Sequence, residues 1–273
     1  MKKFDKILIC TDLDGTLLKN DKTISAENLE AIEYFKSEGG IFTFITGRMP
    51  FFVSDIYETV KPNAPFGCIN GGGIYDRRTH KYLWTQTLSE SVLNLVEYAD
   101  RNLPGIGIQV NAFDKIYFCK ENSAMEHFRS VTGVPNLTSS YSEIKEPIAK
   151  IVFGDENEEN IERLADLLNN HPLASDFDFI RSERTLYEIL PKGISKGSVL
   201  PRIAQLSNTS IDKSIAIGDY NNDILMLRTA KIGIAVSNAT PGAKAAADHI
   251  TVSNEENAIA RTISDIENGF LQI

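Results

Sequence analysis

The segment Ile7-Leu8-Ile9-Cys10-Thr11-Asp12-Leu13-Asp14-Gly15-Thr16 joins an unbroken apolar run to a polar turn. Four successive apolar residues are what a parallel strand buried on both faces requires, because such a strand has no solvent side to fill with alternating polar residues. The run then ends in Thr11-Asp12. With Asp14 two positions on and Gly15 behind it, the turn leaving the strand brings two carboxylates to one place.

Outward from that strand, Ser25 is placed to cap a helix in which Leu29, Ile32 and Phe35 recur every three residues, and Gly39-Gly40 stops it. Ile41-Phe42-Thr43-Phe44-Ile45 reads as a second buried strand ending in Thr46-Gly47-Arg48, and Phe66-Gly67-Cys68-Ile69-Asn70 as a third. This alternation predicts an α/β fold with a doubly wound, Rossmann-like parallel sheet. Between about Leu83 and Leu190 the rhythm changes to that of an α+β unit with a closing hairpin near 177–190, and after Pro191 the β/α alternation resumes. The expected organisation is a core in residues 1–83 and 190–273 with an inserted domain over 84–189.

Composition narrows the function classes. The 273 residues are 42% hydrophobic and 24% charged, as in an ordinary globular chain. A net charge of -9 argues against a sequence-independent nucleic-acid or anionic-membrane surface, which needs clustered Lys and Arg. Cys10, Cys68 and Cys119 are far apart and odd in number, so they are expected to be reduced. The apolar run after Met1-Lys2-Lys3 is too short for a signal peptide or membrane span, and the expectation is a cytoplasmic protein. His80, His127, His171 and His249 share no metal-binding pattern, and no glycine fingerprint for a dinucleotide follows a strand; Asn70-Gly71-Gly72-Gly73 reads as a tight turn.

Four polar segments fall where strands end or helices begin: Asp12 to Thr16, Thr46 to Arg48, Ser195-Lys196-Gly197, and Gly218 to Asp223. In open α/β sheets, strand carboxyl ends line the ligand crevice. Two unit charges ~4 Å apart interact by ~4 kcal/mol at an effective dielectric near 20, so Asp12, Asp14 and Asp219 gathered there need a cation, and Mg2+ suits an all-oxygen set. Thr46 and nearby N–H groups suit a phosphate oxygen. Lys196 follows the N-cap residue Ser195, where the helix dipole disfavours a cation unless an anion joins it. Each segment alone also has a plain reading: a β-turn at Asp12–Gly15, a Thr-Gly turn, a solvated lysine, and an Asn-capped helix after Gly218.

In order and spacing, Asp12-Leu13-Asp14-Gly15-Thr16-Leu17-Leu18, Thr46-Gly47-Arg48, Lys196-Gly197 and Gly218-Asp219 with Asn222-Asp223 resemble the haloacid dehalogenase superfamily. The inserted unit makes the chain similar to its Cof-type, sugar-phosphate phosphatase branch with a large α/β cap. The resemblance implies Asp12 as nucleophile, Asp14 as general acid and then base, and an aspartyl-phosphate intermediate. It further implies phosphate or substrate contacts from Thr46, Gly47, Arg48, Lys196 and Asn222, and Mg2+ held by Asp12, the Asp14 carbonyl and Asp219, supported by Asp223. Arg48 reads equally as a surface ion-pair partner. The implied partner is a small phosphorylated metabolite, a sugar or polyol phosphate, handled by a monomer or weak homodimer. Ser237-Asn238-Ala239 and Glu256-Asn257-Ala258-Ile259-Ala260 depart from the family's Gly-Asn-Ala and Asp-Gly-Val-Ala patterns and bear on the cleft edge. A sugar phosphomutase and a noncatalytic phosphometabolite sensor are the competing functions on the same fold.

Overall fold

The computed structural model describes residues 2–273. The chain forms two units, one of residues up to Thr85 together with Ser195–Ile273, the other of Gln86–Ile194. In chain order the first unit contributes β1 (Leu8–Thr11), α1 (Ala26–Ser37), β2 (Ile41–Phe44), α2 (Ser54–Val60), β3 (Phe66–Cys68), β4 (Gly73–Asp76) and β5 (Lys81–Thr85). The inserted unit holds α3 (Val92–Asn102), β6 (Gly107–Ala112), β7 (Lys115–Lys120), α4 (Ser123–Thr132), β8 (Leu137–Thr138), β9 (Ile148–Gly154), α5 (Glu158–Asn169), β10 (Phe177–Glu183) and β11 (Leu186–Pro191). The first unit is completed by α6 (Lys196–Leu206), β12 (Ser214–Gly218), α7 (Ile224–Thr229), β13 (Ile232–Ala235), α8 (Pro241–Ala246), β14 (His249–Ile250) and α9 (Ala258–Glu267).

The apolar run that begins at Ile7 becomes an interior strand, between β12 and β2, of a parallel sheet ordered β14-β13-β12-β1-β2. Leu8, Ile9 and Cys10 on β1 and Ile215, Ala216 and Ile217 on β12 are fully buried, which explains why both strands lack a polar alternation. Burying a Leu or Ile side chain stabilises by roughly 1.5–3 kcal/mol, so these two strands anchor the unit. From β1 the chain crosses through α1 to β2 on one side, while β12 lies on the other. The carboxyl ends of β1 and β12 therefore flank the point where strand order reverses, the position at which a doubly wound sheet opens a crevice. Ser25 caps α1 as its sequence suggests, its hydroxyl accepting from Asn28 N–H at 3.2 Å.

The apolar stretch 66–70 takes a different course from the third parallel strand expected of it. Only Phe66–Cys68 is strand, and it belongs to a separate antiparallel sheet ordered β3-β4-β5, tied to the parallel sheet by an isolated Ile45–Gly67 bridge. Ile69, Asn70 and Gly71 turn through the left-handed region. A continuous apolar run carries no periodicity that separates a central strand from a short strand followed by a buried turn.

In the inserted unit, six strands form a sheet ordered β10-β11-β9-β6-β7-β8, antiparallel except for β7 with β8. Ile108, Val110, Ile151, Phe153, Tyr187 and Ile189 share a hydrophobic cluster with Val92, Leu95 and Val96 of α3 and Ile161, Leu164 and Leu168 of α5. The alternate residues Gln109, Asn111, Lys150 and Glu188 point to the opposite face of the sheet and are also buried. Lys150 Nζ and Glu188 Oε1 pair there at 2.8 Å. Among the described residues, no helix is long and apolar enough to cross a membrane.

Candidate active site

Asp12 follows β1 directly, and its N–H donates to the Ile217 carbonyl of β12 at 2.8 Å, so the ladder between the two strands fixes its position. Asp219 follows β12 in the same way. Carboxylate oxygens of Asp12, Asp219 and Asp223 lie within 4.8 Å of one another, the group among the described residues able to hold a metal ion. Asp223 is drawn in by its own turn: its Oδ2 accepts from the N–H groups of Asp219 and Tyr220, both at 3.0 Å. Lys196, the first residue of α6, is 1% exposed and places Nζ 2.7 Å from both Asp12 Oδ1 and Asp223 Oδ1. The conflict between a lysine and a helix N-terminus is thus relieved by two carboxylates.

Gly15 and Thr16 close the cluster. Gly15 has φ +75°, and a Cβ there would lie 2.5 Å from Asp219 Oδ2, so no larger residue fits without displacing that carboxylate. Thr16 Oγ1 donates to Asp219 Oδ1 at 2.8 Å. Thr46 is buried at the end of β2, where its hydroxyl accepts from Arg48 N–H at 3.1 Å, and Gly47 follows it against the Asn70 side chain.

Asp14 sits apart from the three-carboxylate group. Its carboxylate receives Arg48 through Nε at 2.7 Å and a terminal guanidinium nitrogen at 2.6 Å, and Lys22 Nζ at 2.8 Å. Arg48 is therefore an ion-pair partner, but of a residue in the site rather than of the outer surface. Asn222 turns its Nδ2 to Asn70 Oδ1 at 3.0 Å.

A family model for haloacid dehalogenase-like hydrolases matches residues 9–263, nearly the whole chain and every residue of the cluster just described. The chain belongs to this family, in its Cof-type branch. The hydrolase is 27% identical over 265 residues to 5-amino-6-(5-phospho-D-ribitylamino)uracil phosphatase YitU of Bacillus subtilis (strain 168), covering 94% of this chain and 96% of the relative. Its fold matches the crystal structure of a haloacid dehalogenase-like hydrolase from Bacteroides thetaiotaomicron with a TM-score of 0.80 and 25% identity, over 95% of this chain and 98% of that one. The structure of the subclass IIB sugar phosphatase BT4131 superposes with a TM-score of 0.82 at 20% identity, over 97% and 99% of the two chains.

The electrostatics of the hydrolase follow from an excess of negative charge. Burial pushes the Asp12 carboxyl well above the usual carboxylate range, and the neighbouring Asp223 and Asp219 add to this against the pull of Lys196. Asp219 is pushed up to about 6, by burial first and then by Asp223. Burial pulls the Lys196 pKa down, yet Asp12 and Asp223 hold it above that of an ordinary lysine. Three carboxylates against one ammonium leave a deficit that a divalent cation fits, and the all-oxygen set is the chemistry such a hard cation prefers. Asp14 goes the other way. Burial opposes ionisation, but the Arg48 and Lys22 contacts outweigh it and hold the carboxyl at about 2.

Sequence reasoning left three supporting residues without a role. Thr16 stands in the first segment without a role of its own, Lys22 belongs to no motif, and Asn238 lies in a cleft-edge segment whose departure from the family pattern is Ser237, not Asn238. Asn238 donates through Nδ2 to the Gly15 carbonyl at 2.8 Å and accepts from Asn254 N–H at 3.0 Å, tying the first polar segment to the end of the sheet. The position of Thr16, next to Gly15 in a carboxylate turn, was the one signal available for these.

Proposed function

We propose that this phosphatase hydrolyses small phosphorylated metabolites with Mg2+ as cofactor, through transfer of the phosphoryl group to Asp12. One observation carries the reading: Asp12 is buried at the end of β1, 2.7 Å from Lys196 and grouped with two further carboxylates that one ammonium does not neutralise. Asp12, Asp219 and Asp223, with the Asp14 carbonyl, would hold the cation, which supplies positive charge to the transferring group. Phosphoryl transfer depends chiefly on positioning and on neutralising the equatorial oxygens. Thr46, Gly47 and Lys196 orient the phosphoryl group, and Lys196 also keeps Asp12 aimed.

Asp14 is the proton-transfer group. Ionised by Arg48 and Lys22, it is set to take a proton from the water that attacks phosphorylated Asp12. Delivering a proton to the leaving alcohol requires one of those two contacts to weaken as substrate enters.

The leaving group in this reading is a sugar or polyol. In support, YitU and two further relatives, YwtE and YcsE of Bacillus subtilis (strain 168), are phosphatases of a phosphoribitylamino compound, and BT4131 is a sugar phosphatase. Residues 86–194 would act as the cap that selects this group. The test is phosphate release from a panel of sugar, polyol, nucleotide and vitamin phosphates with Mg2+. The expected result is the highest kcat/KM among polyol and sugar phosphates and none in Asp12→Asn; undiminished turnover in Asp12→Asn would remove the nucleophile assignment.

A further inference from the structure

Gly15 makes room for the Asp219 carboxylate and leaves its own turn loose. A Cβ there would lie 2.5 Å from Asp219 Oδ2, so no side chain fits, and glycine takes the φ of +75° without strain. The same freedom means that nothing in the residue itself fixes the peptide groups on its two sides. The group before it carries the Asp14 carbonyl, a cation ligand in the reading above. A constraint on Gly15 therefore has to come from outside the turn.

It comes from the turn that follows β13. Val236 N–H donates to the Gly218 carbonyl at 3.2 Å and Thr240 N–H to the Asp219 carbonyl at 2.8 Å, so residues 236–240 are bound to the end of β12. Between these two bonds Asn238 reaches across to the end of β1, its Nδ2 donating to the Gly15 carbonyl at 2.8 Å. Both neighbours settle the orientation of that carboxamide: the Gly15 carbonyl only accepts, and the Asn254 backbone N–H, 3.0 Å from Asn238 Oδ1, only donates. A second asparagine, the buried Asn254, holds the far end of the Gly15 turn, its Nδ2 donating to the Leu18 carbonyl at 3.0 Å. The two bonds differ in their surroundings. Asn238 is exposed, and water competes for its bond, which therefore adds less to the stability of the fold than the buried bond of Asn254.

We propose that Asn238 is a positioning residue of the cation site: by fixing Gly15 against Asp219 it holds the Asp14 carbonyl and the Asp219 carboxylate in place for Mg2+. The turn after β13 thereby sets the turns after β1 and β12 relative to each other, gripping Asp219 through the Thr240 N–H and Gly15 through Asn238. Thr16 Oγ1 closes the arrangement on Asp219 Oδ1 from the other side. The assignment rests on the Mg2+ reading given above and extends it to a neutral residue that contacts neither cation nor substrate.

Calorimetric titration of Mg2+ into the full chain, paired with urea unfolding of the metal-free chain, tests it in wild type, Asn238→Ala and Asn254→Ala. Asn254→Ala keeps the backbone N–H that meets Asn238 and removes only the bond to Leu18 and its neighbour Asn20. The expected result for Asn238→Ala is about tenfold weaker Mg2+ binding, the scale seen for groups that orient metal ligands from outside the coordination sphere. Its urea midpoint should stay close to that of wild type, and its kcat should return to within about twofold of wild type once Mg2+ saturates, because no contact to the reacting atoms is lost. Asn254→Ala should show the reverse, a lower urea midpoint with Mg2+ affinity within about twofold of wild type. Unchanged Mg2+ binding in Asn238→Ala would overturn the proposal, and so would equal weakening in both variants, which would mark general loosening of the turn. Should Asn254→Ala not fold, Asn238→Ala alone decides: a midpoint that falls along with Mg2+ affinity, or a variant that fails to fold, shows a structural role and contradicts the assignment. A wild-type chain that bound no Mg2+ would overturn the proposed cofactor with it, an outcome distinct from failure of the variants alone.

Discussion

Each unit of the chain buries a lysine against carboxylates, and the two lysines do different things. In the inserted unit Lys150 meets Glu188 at 2.8 Å, one cation to one anion, on the face of the sheet opposite its hydrophobic cluster. In the first unit Lys196 meets Asp12 and Asp223 at 2.7 Å, with Asp219 beside them. The first pair is balanced. The second set is not: burial first and then the neighbouring carboxylates raise Asp12 and Asp219, while Asp12 and Asp223 keep Lys196 charged. Burial of charge alone is weak evidence of function, since paired ions are tolerated in a core. Burial of unbalanced charge marks where a ligand completes the structure.

The largest expected effect lies in the unbalanced set. Asp12→Asn should lower Mg2+-dependent phosphate release by more than about a thousandfold, as loss of a nucleophile does. Lys196→Met should cost about a hundred- to thousandfold in kcat, the scale of a lost electrostatic contact to the transferring group. Steady-state assays at saturating Mg2+ read both.

Stability measurements sharpen the contrast. Lys150→Met removes the ammonium 2.8 Å from the buried Glu188 carboxylate and should destabilise by about 3–5 kcal/mol in urea unfolding. Adding Glu188→Leu should recover most of that loss. A double variant as unstable as the single one would show that the loss does not come from the charge left on Glu188.

The pH dependence follows from the raised Asp219. In unfolded chain this carboxyl ionises near pH 4, whereas in the metal-free fold it holds its proton to about 6. The fold therefore binds more protons than the unfolded chain in that interval, and metal-free stability should fall as pH rises from about 4 to 6, by about 3 kcal/mol. Saturating Mg2+, which takes the place of the proton, should flatten the profile. A metal-free profile that rises over this range would contradict the raised Asp219.

Much of this was legible in the sequence because strands buried on both faces declare themselves. The run at Ile7–Cys10 predicted a buried parallel strand ending at Asp12, and the structure sets β12 beside it, which brings the acidic residues at the two strand ends together. Lys196 was legible through its misfit with a helix N-terminus. The Lys22 contact to Asp14 was hidden, because it depends on a left-handed backbone at Lys22, φ +67°, that no turn residue announces. Asn238 was hidden for another reason: its bond to Gly15 spans 223 residues, and only the closed sheet brings them together. The turn was legible from Asn70 on, in Asn70-Gly71-Gly72-Gly73, and only its start at Ile69 was lost inside an apolar run that also reads as strand.

The central claim, that the unbalanced carboxylates at the ends of β1 and β12 serve phosphoryl transfer to Asp12, is tested most directly by trapping. Acid quenching of the enzyme during turnover of a phosphate-labelled substrate with Mg2+, followed by peptide mapping, should place acid-stable, alkali-labile label on the peptide carrying Asp12, and none in Asp12→Asn. Label on another residue, or turnover with none retained and Asp12→Asn still active, would contradict the account.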